Sequence, residues 1–148
     1  MSLAMTKEER EAFLADVHIA VISIPEVGRG PLTVPVWYAY EPGGEVRIWT
    51  DANSRKAKLL GQSGRFSLCV QQEMQPYKYV SVEGPVVGLG PIDFERDLRP
   101  LVYRYLGPEA GDQFIERLGL SSVGEEDILI RMRPERWFSE DNSKQTTA

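Results

Sequence analysis

Short runs of branched and aromatic residues, each closed off by glycine or proline, restrict what this chain can fold into more than any other feature. Segments 19–24, 32–40, 45–50, 66–72, 78–89 and 128–132 all have strand character. Between them stand the Gly- and Pro-bearing stretch 25–31, Pro42-Gly43-Gly44, and Gln75-Pro76. The first is a turn between antiparallel strands, and Pro42-Gly43-Gly44 is a hairpin turn from which 45–50 returns. Pro35 cannot donate to a ladder, which implies an edge, a bulge or ligand-facing backbone. Gly84-Pro85, inside the longest run, marks a kink of the kind barrel corners need. Segment 136–139 extends the last strand or pairs with it.

Helical signals frame these runs. Thr6 and Glu9 form a capping-box pattern ahead of the apolar stripe Phe13, Leu14 and Val17. A short helix at 54–60, capped by Asn53 or Ser54, is expected to stop near Gly61. Phe94, Leu98, Leu101, Val102 and Tyr105 follow helical spacing until Gly107-Pro108, and a second short helix runs to a Gly119 cap. About six antiparallel strands with short helices outside them describe a mainly β chain forming a closed or partly closed barrel. Residues 6–140 are expected to form one domain. Residues 1–5 read as a cloning scar or disordered start, and 141–148 as a disordered polar tail.

The chain has 148 residues, 42% of them hydrophobic and 26% charged, which suits one compact domain with a sizeable core. No apolar run approaches the roughly 20 residues a membrane span needs. The first residues lead into a charged helix rather than a signal peptide, and cytoplasm is the expected compartment. A net charge of −5 argues against nucleic-acid binding but leaves room for a local anion pocket. Cys69 is the only cysteine and His18 the only histidine, so no metal site and no disulfide are expected. His18 lies at a helix-to-strand junction with no nucleophile elbow, which favours a structural role. Cys69, between Leu68 and Val70, is expected to be buried and inert.

The segment with chemical content is Ile48-Trp49-Thr50, a polar turn, then Ser54-Arg55-Lys56 opening a helix. A helix start carries unpaired N–H groups and partial positive charge, and two cations added there make a phosphate site. The alternative is a solvated pair, at a cost of roughly 0.3–1 kcal/mol against the helix dipole. Arg55 is expected to contribute more than Lys56, through its planar fork. Thr50 and Ser54 offer hydroxyls to a ligand, or serve as strand end and helix cap. Trp37, Tyr38, Trp49, Tyr77 and Tyr79 suit the walls of a planar cofactor, though each also suits a core or dimer interface. Lys78 starts a strand, where it either approaches an acidic ligand or is simply exposed. Glu83 reads as structural, and Glu125, Glu126 and Asp127 as a solvated turn. No side chain stands out as an obligatory acid or base, so no catalytic residue is assigned.

The ordered set of strand, Ser54-Arg55-Lys56, helix, then 66–70 and 79–84 resembles the flavin-binding split barrel of the pyridoxamine 5′-phosphate oxidase-like family. The resemblance covers roughly 13–138. It implies an antiparallel six-stranded split β-barrel with short peripheral helices, a homodimer, and cofactor sites at the interface. It further implies that Trp49 and Thr50 meet the ring or ribityl region and that Ser54, Arg55 and Lys56 hold the phosphate. Lys78 and Tyr79 would approach the ring from the partner subunit. The second-strand cations and C-terminal substrate signature of true pyridoxamine phosphate oxidases are missing. The Val34-Pro35-Val36-Trp37 segment and the compact length are similar instead to the branch that uses the deazaflavin coenzyme F420. The expected activity is hydride transfer between reduced F420 and a small unsaturated compound. An FMN-dependent reductase or oxidase, and a non-catalytic cofactor carrier, are the alternatives.

Overall fold

Thr6 opens helix α1 (Lys7–Ala15) through the expected capping box: its side chain accepts the Glu9 N–H at 3.2 Å, and Glu9 accepts the Thr6 N–H at 2.8 Å. The computed structural model describes residues 2–119 and 126–145. Glu9 also accepts from Lys144 Nζ at 2.5 Å. That bond, followed by the Thr6 N–H, holds its carboxyl at about 2, against an ordinary 4.5. The folded value is depressed, so this stabilisation is complete above about pH 4.5 and is lost as pH falls through about 2. Amide exchange at the α1 start, followed between about pH 5 and pH 2, is expected to show acid loosening in the parent. Glu9→Gln should abolish that dependence; parallel loosening of both proteins would sink the assignment.

The strands are β1 (Ala20–Ile24), β2 (Leu32–Val36), β3 (Val46–Asp51), β4 (Arg65–Gln72), β5 (Lys78–Pro91), β6 (Asp127–Met132) and β7 (Arg136–Asp141). Six of them run in the order β2-β1-β4-β5-β6-β3, every pairing is antiparallel, and β7 joins β5. This is the expected antiparallel split barrel, mainly β, with one additional strand. β5 belongs to both halves: its first part lies between β4 and β7, and from Val86 onward it pairs with β6. Alternation along the strands sends Ile22, Leu68, Val80 and Val82 from one half, and Ile48, Ile130 and Met132 from the other, into a common core. Leu14 of α1 and Leu59 and Leu60 of α2 (Arg55–Ser63) close it.

The bend expected at Gly84-Pro85 is where β5 changes partners, with a register shift between Val86 and Gly88. A Cβ on Gly84 would meet the Arg133 carbonyl oxygen at 1.8 Å. Arg133 N–H donates to Pro85 O at 3.0 Å and Glu135 N–H to Glu83 O at 2.9 Å. The chain after β6 is thereby carried across the bend, so β7 pairs with β5 and does not extend or pair with β6.

Several other expectations are corrected. β2 ends at Val36 rather than at 40, because the Tyr38 N–H is taken by the Tyr105 hydroxyl at 3.0 Å instead of a strand. No hairpin joins β2 to β3, which meet different neighbours; Ala39 and Arg47 form a lone bridge. Pro35 does sit on the edge strand β2. α2 runs through Gly61 to Ser63 and stops at Gly64, whose φ of 69° supplies the left-handed cap. The helical break expected at Gly107-Pro108 is present: α3 (Arg99–Leu118) is two short helical stretches that meet at Gly107, whose φ of 79° and ψ of 168° are not helical, and it follows a π-helical turn at Phe94–Leu98. Tyr103 bonds Asp112 across the kink, and Gly111 leaves room for the Tyr103 ring, 2.7 Å from where a Cβ would stand. Gly119 is the expected cap.

The two ends pack together rather than trailing. Met5 is buried and donates to Ser139 Oγ at 3.0 Å, and Asp141 N–H donates to Leu3 O at 2.8 Å. A 3₁₀ turn, Asn142–Lys144, follows, capped by Asp141; 146–148 lie outside the described residues, as does Glu125. Cys69 is exposed, because the alternation that buries Phe66, Leu68 and Val70 turns it outward; partial burial still pushes its thiol up. His18 bonds Phe13 O at 2.9 Å and packs on the Phe13 ring. Glu83 forms ion pairs with Arg65 and Arg136 across neighbouring strands.

Candidate functional site

Where β2 and β3 end, α2 begins and α3 folds over, the chain leaves a cavity of about 400 Å³. Five of the residues singled out from the sequence line it: Pro35, Val36, Trp37, Trp49 and Lys56. Ile19, Leu101 and Phe114 complete the wall. Two larger clefts, of about 700 and 640 Å³, carry several charged groups of both signs in their lining. The smaller cavity joins three aromatic rings, Trp37, Trp49 and Phe114, and aliphatic walls to one cation, Lys56, a composition that suits a planar ligand bearing an anionic group.

Each wall is held from behind. The Trp37 ring stacks on Tyr105 at 4.9 Å and 7°, and meets Phe114 at 5.6 Å. Tyr105 in turn donates to His18 O at 2.7 Å and accepts from Tyr38 N–H. Trp49 donates its indole N–H to Asp127 Oδ1 at 3.1 Å, which fixes the ring against β6. Arg104 ties α3 to the end of α1 by donating to Ala15 O and Asp16 O at 3.0 and 2.8 Å. Tyr105→Phe keeps the stack but leaves the Tyr38 N–H and His18 carbonyl unpaired. It is expected to cost about 1–2 kcal/mol in urea unfolding; an unchanged midpoint would show that water replaces the hydroxyl.

The anion end lies at the α2 start. Ser54 is the N-cap, accepting the Ala57 N–H at 3.1 Å, and its hydroxyl lies 3.0 Å from that of the buried Thr50. Both hydroxyls therefore serve as cap and strand end. Lys56 points into the cavity and, among the described residues, has no ion-pair partner. Arg55 is paired with Glu26 from the β1–β2 turn and does not line the cavity. Lys78 and Tyr79 are elsewhere, in a separate cleft of about 330 Å³ with Gln71 and Glu140, and Lys78 Nζ is 4.0 Å from Asp141. Among the described residues no group of three or more His, Cys, Asp and Glu is placed to hold a metal.

Sequence reasoning missed Ile19, Phe114 and Glu26. The signal for Phe114 was the Gly107-Pro108 break, which folds the second part of α3 back over Trp37. Leu101 was read only as part of a buried helical face.

No family model and no curated protein matches this chain. Solved structures do. A protein described as an F420 reductase superposes with a TM-score of 0.68 at 19% identity, over 86% of this chain and 94% of that one. The conserved protein Rv2991 of Mycobacterium tuberculosis gives 0.76 at 19% identity, over 99% and 93%. A FAD-binding protein of Mesorhizobium loti gives 0.63 at 16% identity, over 92% and 94%. The chain has the pyridoxamine 5′-phosphate oxidase-like split-barrel fold. At such identities the likeness is one of fold. Within this split barrel, the cavity opens where the edge of one half, β2, and the edge of the other, β3, both stop.

Proposed function

We propose that this split barrel binds the deazaflavin coenzyme F420 and passes a hydride between its reduced form and a small, fairly apolar unsaturated compound. The observation that carries this reading is the cavity itself, apolar and aromatic along its walls with the half-buried Lys56 ammonium at the α2 start. A planar ring with a phosphate on a flexible chain matches that donor set. Lys56, Arg55 and the α2 terminus hold the phosphate. Pro35, Val36, Trp37 and Trp49 orient the ring, while Leu101 and Phe114 keep water from the reacting face. When bound, the deazaflavin supplies the hydride. The proton comes from solvent or from Tyr79. FMN presents a similar ring and a phosphate, and is the alternative cofactor.

A homodimer is part of the same reading. Lys78 and Tyr79 line a different cleft from the other candidates within one chain, so they serve this cavity only from a second subunit. Val21, Cys69 and Phe138 expose an outer sheet face that suits such a contact. No described helix is long and apolar enough to cross a membrane, and the cytoplasm is the proposed compartment.

The test is an absorbance titration with F420 and with FMN, followed by mixing the reduced cofactor with a panel of α,β-unsaturated esters and ketones. Saturable binding, tighter for F420, and substrate-dependent reoxidation are expected. Binding without reoxidation would favour a carrier, and failure to bind either cofactor would overturn the proposal.

A further inference from the structure

We propose that Glu26 sets the affinity of the anion seat of α2: its carboxylate occupies the Arg55 guanidinium until phosphate oxygens displace it, so a phosphate-bearing ligand binds against the cost of breaking this ion pair and a phosphate-free ligand does not. This rests on the cofactor reading above. α2 opens with Arg55, Lys56 and Lys58 and has no acidic residue in its first turn. These cations repel one another and oppose the helix terminus, so the arrangement favours an anion. The carboxylate brought to Arg55 comes from Glu26, 29 residues away, on a different element.

The exposure of the pair is unequal. The Glu26 side chain is 17% exposed and that of Arg55 50%. The guanidinium thus keeps a solvent-facing side on which an incoming anion can start the exchange. Glu26 also stands on an exposed turn: Val27 is fully exposed, and a Cβ at Gly28 or Gly30 would meet no neighbour within 4 Å. Neither Glu26 nor its neighbour Val27 belongs to the buried core, so exchange of the ion pair does not require the core to repack. A carboxylate on Arg55 leaves Lys56 unserved. A phosphate presents enough oxygens to meet Arg55, Lys56 and the first-turn N–H groups together. Displaced, Glu26 returns to water. A phosphate-free ligand supplies nothing to the seat, and Glu26 stays.

The test is a set of titrations of the parent, Glu26→Gln, Arg55→Ala and the double variant. The ligands are F420, FMN and their phosphate-free forms, deazariboflavin and riboflavin, with inorganic phosphate as competitor. Glu26→Gln is expected to bind F420 or FMN about three- to tenfold tighter, with the phosphate-free forms unchanged. The gain should vanish in the Arg55→Ala background. Equal affinities in parent and Glu26→Gln, or a gain that persists without Arg55, would overturn the proposal and leave the cofactor site standing. Failure of the parent and Glu26→Gln to bind either cofactor would instead remove the cofactor reading, and this inference with it.

Discussion

Gly84→Ala is expected to lower stability by about 3 kcal/mol or more, which for a domain of this size lowers the melting temperature by about 6–12 °C. The added methyl would stand 1.8 Å from the Arg133 carbonyl oxygen and 2.8 Å from its carbon. Both are backbone atoms, held by the bonds from Arg133 to Pro85 and from Glu135 to Glu83, so no side chain can swing aside. Relief requires the chain after β6 to lift off the bend, and the pairing of β7 with β5 begins immediately beyond it, at Arg136 and Glu83. The same substitution at Gly90 meets no neighbour within 4 Å and is expected to have little effect. Thermal melts of the two variants beside the parent decide the matter. A Gly84→Ala protein melting within about 2 °C of the parent would show that the bend does not depend on this contact.

Lys56→Ala is expected to weaken cofactor binding about ten- to a hundredfold, since a charge-assisted bond in a partly desolvated pocket contributes roughly 1.5–3 kcal/mol. Sequence reasoning ranks Arg55 first for its planar fork. The geometry favours Lys56, which lines the cavity and has no ion-pair partner among the described residues, whereas Arg55 must first leave Glu26. Arg55→Ala should therefore cost less than Lys56→Ala. Raising the salt concentration should shrink the Lys56 effect, as expected of a point charge. The melting temperature without cofactor should change little, because removing one cation from the α2 start relieves repulsion there. Titrations of the parent and both variants with F420 and FMN at two salt concentrations provide the measurement. If Lys56→Ala binds both as the parent does, the phosphate lies elsewhere.

The strand order along the chain, the α1 and α2 caps, the kink in α3 and the β5 bend were all legible as local chemistry. Each depends on residues within a few positions of one another: Thr6 with Glu9, Ser54 with Ala57, Gly107 with Pro108, Gly84 with Pro85. The end of β2 was not legible, because it depends on Tyr105, 67 residues from Tyr38, capturing an N–H that strand propensity alone assigns to a ladder. Cys69 was placed inside by its apolar neighbours, yet those neighbours are buried on the opposite face, so the same alternation turns it outward.

For the site, the sequence by itself determined which residue types would gather near the end of β3 and the start of α2, because Trp49, Thr50, Ser54, Arg55 and Lys56 lie within one strand-turn-helix unit. Only the tertiary structure decided which of them face the cavity. Tertiary packing placed Phe114 over Trp37, brought Glu26 to Arg55 across 29 residues, and set Lys78 and Tyr79 in another cleft. Helix capping and strand alternation act over a few residues and are written into local sequence. A pocket wall is set by which distant elements meet, and that depends on the closure of the whole barrel.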